Sequence, residues 1–159
     1  MEHLLECGCK NIVNLRGLQT LSSAQERFEG YLDVCMEQKI VPQYIECRYG
    51  FQAGLEKTEE LLKLYPDVDG IIAGNDMVAI SAYKVLTKNG YRVPEDVQIV
   101  GYDDVTLASL VTPELTTIAQ PIFEMGTVTA NVLIDYIEKK PIKDNYHFDV
   151  ELIKRETTK

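Results

Sequence analysis

Short, mostly apolar runs alternate with longer segments of helical period along this 159-residue chain, and that alternation leaves few folds open to it. The runs are NIVNL (11–15), YIEC (44–47), GIIAG (70–74) and VQIVGY (97–102), the last introduced by Pro94. Between them, SSAQERFEGYLDVCMEQK (22–39) reads as a helix with a Ser N-cap, its Phe28, Leu32 and Cys35 falling on one face. GFQAGLEKTEELLKLY (50–65) turns Leu55, Leu61 and Leu62 inward, and DMVAISAYKVLTKNG (76–90) ends in the Asn-Gly expected where a helix stops. The strands lack polar alternation, as strands covered on both faces do. The expected fold is therefore α/β, a parallel sheet flanked by helices with right-handed crossovers.

The second half is less regular. TPELTTIAQP (112–121) is an extended segment bounded by prolines, and IFEMGTVTANVLIDYIEKK (122–140) is a long helix. After the PIKDN turn, YHFDVELIKRE (146–156) alternates like an antiparallel or edge strand. The tail KRETTK, the one dense basic cluster, reads as a solvated terminus.

The length suits one domain. No run approaches the ~18 consecutive apolar residues of a membrane span. MEHLLECGCK is too acidic and its apolar stretch too short for a signal peptide, so the expected location is the cytoplasm and no membrane partner is expected. With 25 acidic and 16 basic residues the net charge is −9, which argues against nucleic-acid binding by this chain itself, because neutralising phosphates needs a basic face. Cys7 and Cys9 form a C-x-C pair without a matching second pair, and neither His3 nor His147 completes a zinc spacing. The four cysteines read as reduced structural thiols, and no metal or cofactor is expected.

In open α/β sheets ligands bind at the carboxyl ends of strands. Asn75 and Asp76 follow GIIAG, and Asp103 and Asp104 follow VQIVGY, so one rim of the sheet carries amide and carboxylate groups able to pair with hydroxyls. Either Asn75 or Asp76 can cap the following helix. Asp103 is the expected ligand acceptor and Asp104 a turn residue. Adjacent residues on a strand point apart, so this pair does not suit glycosidase chemistry. The chain has no G-x-S-x-G, Walker or G-x-G-x-x-G motif, and no catalytic residue is assigned.

These segments also spell a pattern. N-D-x-x-A-x-x-A at 75–82, then V-P-x-D-x-x-x-V-G-Y-D-D to Asp104 and P-x-L-T-T-I-x-Q-P at 113–121, resembles the effector-binding core of the LacI/GalR family of bacterial transcription regulators. RFEGY (27–31) and HLLECGCKNI (3–12) extend the resemblance over nearly the whole chain. It implies the C-terminal lobe of a type I periplasmic-binding-protein-like fold, truncated. Residues 1–115 would form that lobe, 116–145 would cross toward an N-terminal lobe outside this chain, and 146–159 would return as strand and tail. Helix 122–140 would then lose its sheet partner and is expected to pack on another copy or on its own lobe.

The resemblance implies a sugar or sugar phosphate as effector. Arg27 matches the effector-contacting arginine, and Asn75 and Asp103 match the polar contacts at the strand ends. Tyr49 falls where an aromatic stacks on a sugar face, and Ile122 or Phe123 where one lines the pocket, Phe123 being offset by one. Ile80 on helix 76–89 and Leu110 in LASLV are expected at a homodimer interface. Operator DNA would be bound only through a headpiece outside this chain, with ligand closure of the lobes resetting it allosterically. A sugar-binding protein of a transport system is the alternative on the same fold, and an enzyme on this scaffold is a more distant rival.

Overall fold

The computed structural model describes all 159 residues. In chain order its elements are α1 (Glu2–Glu6), β1 (Ile12–Arg16), α2 (Ser22–Gln38), β2 (Gln43–Glu46), α3 (Phe51–Leu64), β3 (Gly70–Ala73), α4 (Asp76–Lys88), β4 (Gln98–Asp103), a 3-10 turn (Thr106–Ser109), β5 (Thr116–Ala119), α5 (Ile122–Ile137) and β6 (Glu151–Ile153). One six-stranded sheet runs β2-β1-β3-β4-β5-β6, with the first five strands parallel and β6 antiparallel to β5. The order reverses between β1 and β3, and the chain crosses to opposite faces on either side of that point.

Alternate side chains of each strand feed two cores. Val13, Leu15, Ile71, Ala73 and Ile99 meet α3 and α4 in a core of 17 buried residues. Ile12 and Val100 meet α1 and α2 in a core of only seven. The thinner cover leaves Ile72 and Tyr102 half-buried on that second face. Glycines let the layers approach, since a Cβ at Gly54 of α3 would strike Ser81 of α4.

Several expectations are corrected. The N-cap of α2 is Leu21, with no side-chain cap bond, in place of a serine. Of the alternating segment 146–156 only Glu151–Ile153 pairs as strand, because β5 offers just four residues to pair with. The tail is only partly solvated: Lys154, Glu156 and Lys159 are exposed, but its threonines are not. Thr157 and Thr158 are buried, the Ile99 amide donates to the Thr157 carbonyl at 2.9 Å, and the Lys159 amide donates to Gln98 Oε1 at 2.9 Å. The basic look of KRETTK hid Thr157, which laces β4 to β5, and Thr158, whose hydroxyl meets that of Thr116 and the ring of His3.

Residues 116–119 pair with β4 in the same sheet as the preceding strands, and what stands clear of that sheet is α5, which has no buried residue. Packing of that helix on its own lobe is therefore not observed. No helix is long and apolar enough to cross a membrane.

Candidate functional site

The carboxyl ends of β1, β3 and β4 meet at one rim, beside the reversal in strand order where open α/β sheets hold ligands. Arg27 reaches this rim from the second turn of α2. Its Nη1 donates to the Gly74 carbonyl at 2.9 Å, its guanidinium carbon lies 3.6 Å from the Tyr102 ring centroid, and Nη2 is 3.8 Å from Asp103 Oδ1. One bond, one stack and one charge thus fix a cationic fork beside an acceptor.

Asp103 ends β4 with φ +117°, a region that L residues seldom occupy. Gln120, just past β5, donates from Nε2 to Asp103 Oδ1 at 2.7 Å. Burial pushes the Asp103 carboxyl above its usual range, while Arg27 and the Gln120 bond pull the other way. Asp104, also at positive φ, turns away to Arg155 Nη2 at 2.7 Å and so ties the turn to the C-terminal strand region.

The β3 end settles which residue caps α4. Asn75 Oδ1 accepts from the Val78 amide at 2.9 Å. Asp76 is 1% exposed and accepts from the Val105 amide at 2.8 Å and from the Thr117 hydroxyl. Its carboxyl is raised by burial, with both hydrogen bonds opposing. Gly101 is required beneath it, because a Cβ there would strike Asp76 Oδ1.

Tyr49 lies over Gly17 and Gly74, where added Cβ atoms would meet its ring. Its hydroxyl is buried without a hydrogen-bond partner. Burial raises its pKa, and the nearby Arg27 guanidinium draws it back without reaching hydrogen-bond geometry. Below the rim a cavity of about 190 Å³ opens between α2 and the sheet, with Asn14, Arg16, Arg27, Tyr49, Gly74 and Tyr102 in its walls. Complete small-molecule sites run to roughly 300–1,000 Å³, so this is the size of a half-site.

Arg27, Tyr49 and Asp103 are thus gathered at one place. Asn75 stands on the same rim with its carbonyl oxygen engaged as the helix cap. Phe123 does not join them: it projects from α5 at 90% exposure, and Ile122 is also exposed. Ile80 is half-buried against the larger core, whereas Leu110 is 68% exposed. Tyr102 and Gln120 were missed from sequence, although both sit at strand ends where the same rule would have found them. All four thiols are free, and burial pushes Cys9 up to about 12. No group of three or more His, Cys, Asp or Glu is gathered as metal ligands.

Residues 1–158 match the family model described as periplasmic binding protein-like domain. The chain belongs to this family. Among its relatives in the periplasmic binding protein-like family, the ribose operon repressor of Halalkalibacterium halodurans is 40% identical over 99% of this chain and 48% of its own length. A transcriptional regulator CelR–cellobiose complex superposes with a TM-score of 0.90 at 32% identity, covering 97% of this chain and 48% of that one. A dimeric Lac repressor does so with a TM-score of 0.92 at 30% identity, covering 99% and 58%. These relatives are transcriptional regulators, and the chain spans about half the length of the curated relatives it matches.

Proposed function

We propose that this chain is the effector-sensing lobe of a bacterial, cytoplasmic transcriptional repressor, and that it binds a saccharide without transforming it. The observation that carries the reading is the Arg27–Asp103 pair, a fixed fork 3.8 Å from an acceptor at the strand-order reversal. Donor and acceptor side by side suit adjacent sugar hydroxyls, and Tyr49 and Tyr102 supply apolar surface beside them. The kinds of relative support it, since one is named for a ribose operon and another was solved with cellobiose. They also favour a regulator over a transport protein.

In the longer protein, residues 1–115 with β5 would form one lobe, 116–145 would cross to a second, and 146–159 would return. The bare α5 supports that division, and Ile122 and Phe123 would then line the far side of the cleft. Ile80 and Leu110 would face a second copy, and operator DNA would be held by a headpiece outside this chain. Ligand would act by closing the lobes, which requires differential affinity for open and closed states.

A thermal-shift screen of this chain against neutral and charged mono- and disaccharides tests the reading. A concentration-dependent rise in Tm with one saccharide, as mass action demands, is expected. No shift with any saccharide, together with turnover of one of them, would replace the reading with an enzyme.

A further inference from the structure

We propose that the face of β1 beneath α2 forms an inner compartment of the effector site, built by Asn14, Arg16 and Arg27, which takes an oxyanion substituent of the saccharide, a carboxylate or a phosphate. This rests on the effector-binding reading above and names the class of saccharide.

Asn14 and Arg16 are two apart on β1, so both point to the α2 side. Asn14 is 4% exposed and lines the cavity. Two of the cavity's residues hold a buried polar atom without a partner, Arg16 at Nε and Tyr49 at its hydroxyl.

Arg16 packs against an edge-to-face pair of rings, with its guanidinium carbon 4.5 Å from the Phe28 centroid and 4.4 Å from the Tyr44 centroid, themselves 4.8 Å apart. The aromatic pair positions the guanidinium, and the edge of the fork is left for hydrogen bonding. That edge is nearly idle. Nε has no partner, and the nearest carboxylate, Glu46, stands 3.6 Å from Nη2.

Arg27 closes the same cavity from above, and its one carboxylate, Asp103, is 3.8 Å away. Neither Glu46 nor Asp103 lines the cavity, so its walls hold two guanidinium groups, an amide and no carboxylate. Neutral hydroxyls do not call for a second half-buried cation, whereas a carboxylate or phosphate pairs with such a fork through two parallel bonds. The volume of about 190 Å³ suits a substituent group, with the sugar ring left at the rim.

The test is calorimetric titration of this chain with matched sets: glucose, glucuronate and glucose 6-phosphate; ribose and ribose 5-phosphate; and inorganic phosphate. One charged member should bind about tenfold or more tighter than its neutral parent, and whether the winner is an acid or an ester distinguishes carboxylate from phosphate. Arg16→Gln should erase that preference while sparing the neutral parent, and Arg16→Lys should keep part of it. Asn14→Ala, which leaves the contacts of Arg16 with Phe28 and Tyr44 in place, should also weaken the charged ligand, with unchanged Tm showing that the fold persists. Equal affinity for neutral and charged members, a preference that survives Arg16→Gln, or inorganic phosphate binding as tightly as the sugar phosphates would overturn the compartment and leave the saccharide reading standing. Binding by no saccharide at all would overturn both.

Discussion

Arg27 lies with its guanidinium carbon 3.6 Å from the Tyr102 ring centroid while its Nη1 bonds the Gly74 carbonyl, so α2 is fastened to the ends of both β3 and β4 through one side chain. The fork is pre-organised before any ligand arrives. A lysine could keep the charge but not the planar stack or the paired donors. Arg27→Lys should therefore lower saccharide affinity about tenfold or more. Unfolding should change little, because the side chain is partly exposed and its ion pair is long. Calorimetry alongside urea denaturation separates the two effects, and an unchanged affinity would remove Arg27 from the site.

The backbone of Asp103 makes a separate prediction. At φ +117° a Cβ costs on the order of 1 kcal/mol, and glycine is free of that cost. Asp103→Gly should be more stable than Asp103→Ala by about 1 kcal/mol, while neither binds saccharide. The strain would then be kept for function. Equal stability of the two variants in denaturant would show that the turn is unstrained.

Asp76 gives both a magnitude and a pH dependence. Asp76→Ala strands the buried Thr117 hydroxyl and the Val105 amide, and should cost about 1–3 kcal/mol for each group left unpaired. Burial raises its folded pKa, so between the ordinary Asp value of about 3.9 and the raised one the native state holds more protons than the unfolded state. Stability from this group is thus full below the ordinary value and is lost as pH rises through the folded value. Denaturant titrations across that interval should show the slope in the parent and a shallower one in the Ala variant, with the Asp103 carboxyl left to supply the remainder. Parallel curves would contradict the assignment.

The tail is expected to behave as a structural strap. Thr157 Oγ1 accepts from the Thr116 amide and donates to the Ile99 carbonyl, both at 2.8 Å, so Thr157→Val should destabilise the fold by about 1–3 kcal/mol. Unchanged thermal unfolding would return this segment to the solvated terminus its lysines suggested.

Helix α5 carries the clearest apolar debt. With Phe123 and Tyr136 both exposed and no residue buried, burying its face is worth about 25 cal/mol per Å². The isolated chain should self-associate through this helix, and Phe123→Asp with Tyr136→Asp should return it to monomer in sedimentation velocity. A parent that stays monomeric at every concentration would contradict this.

Much of the sheet was legible because buried parallel strands announce themselves as unbroken apolar runs, and β1, β3 and β4 stand within a residue or two of where NIVNL, GIIAG and VQIVGY placed them. The site was legible where it follows the strand-end rule, at Asp103 and, through the family resemblance, at Arg27. It was not legible where a residue does one thing by type and another by context. KRETTK looked basic, yet its threonines decide its place. Asn75 looked like a ligand and also serves as the helix cap. Asn14 sits inside a run read simply as a strand and Arg16 just after it, and only the thin cover under α2 shows that their face opens into a cavity. Phe123 stands exposed on α5, where no contact within the chain fixes its role.

The most direct measurement is isothermal titration of the saccharide that raises Tm, first into the parent chain and then into Asp103→Ala. Saturable one-to-one binding that falls at least about tenfold in the variant, with the Tm of the free protein little changed, is the predicted result. Binding that is indifferent to Asp103, or heat that never saturates, would place the ligand elsewhere and contradict the account.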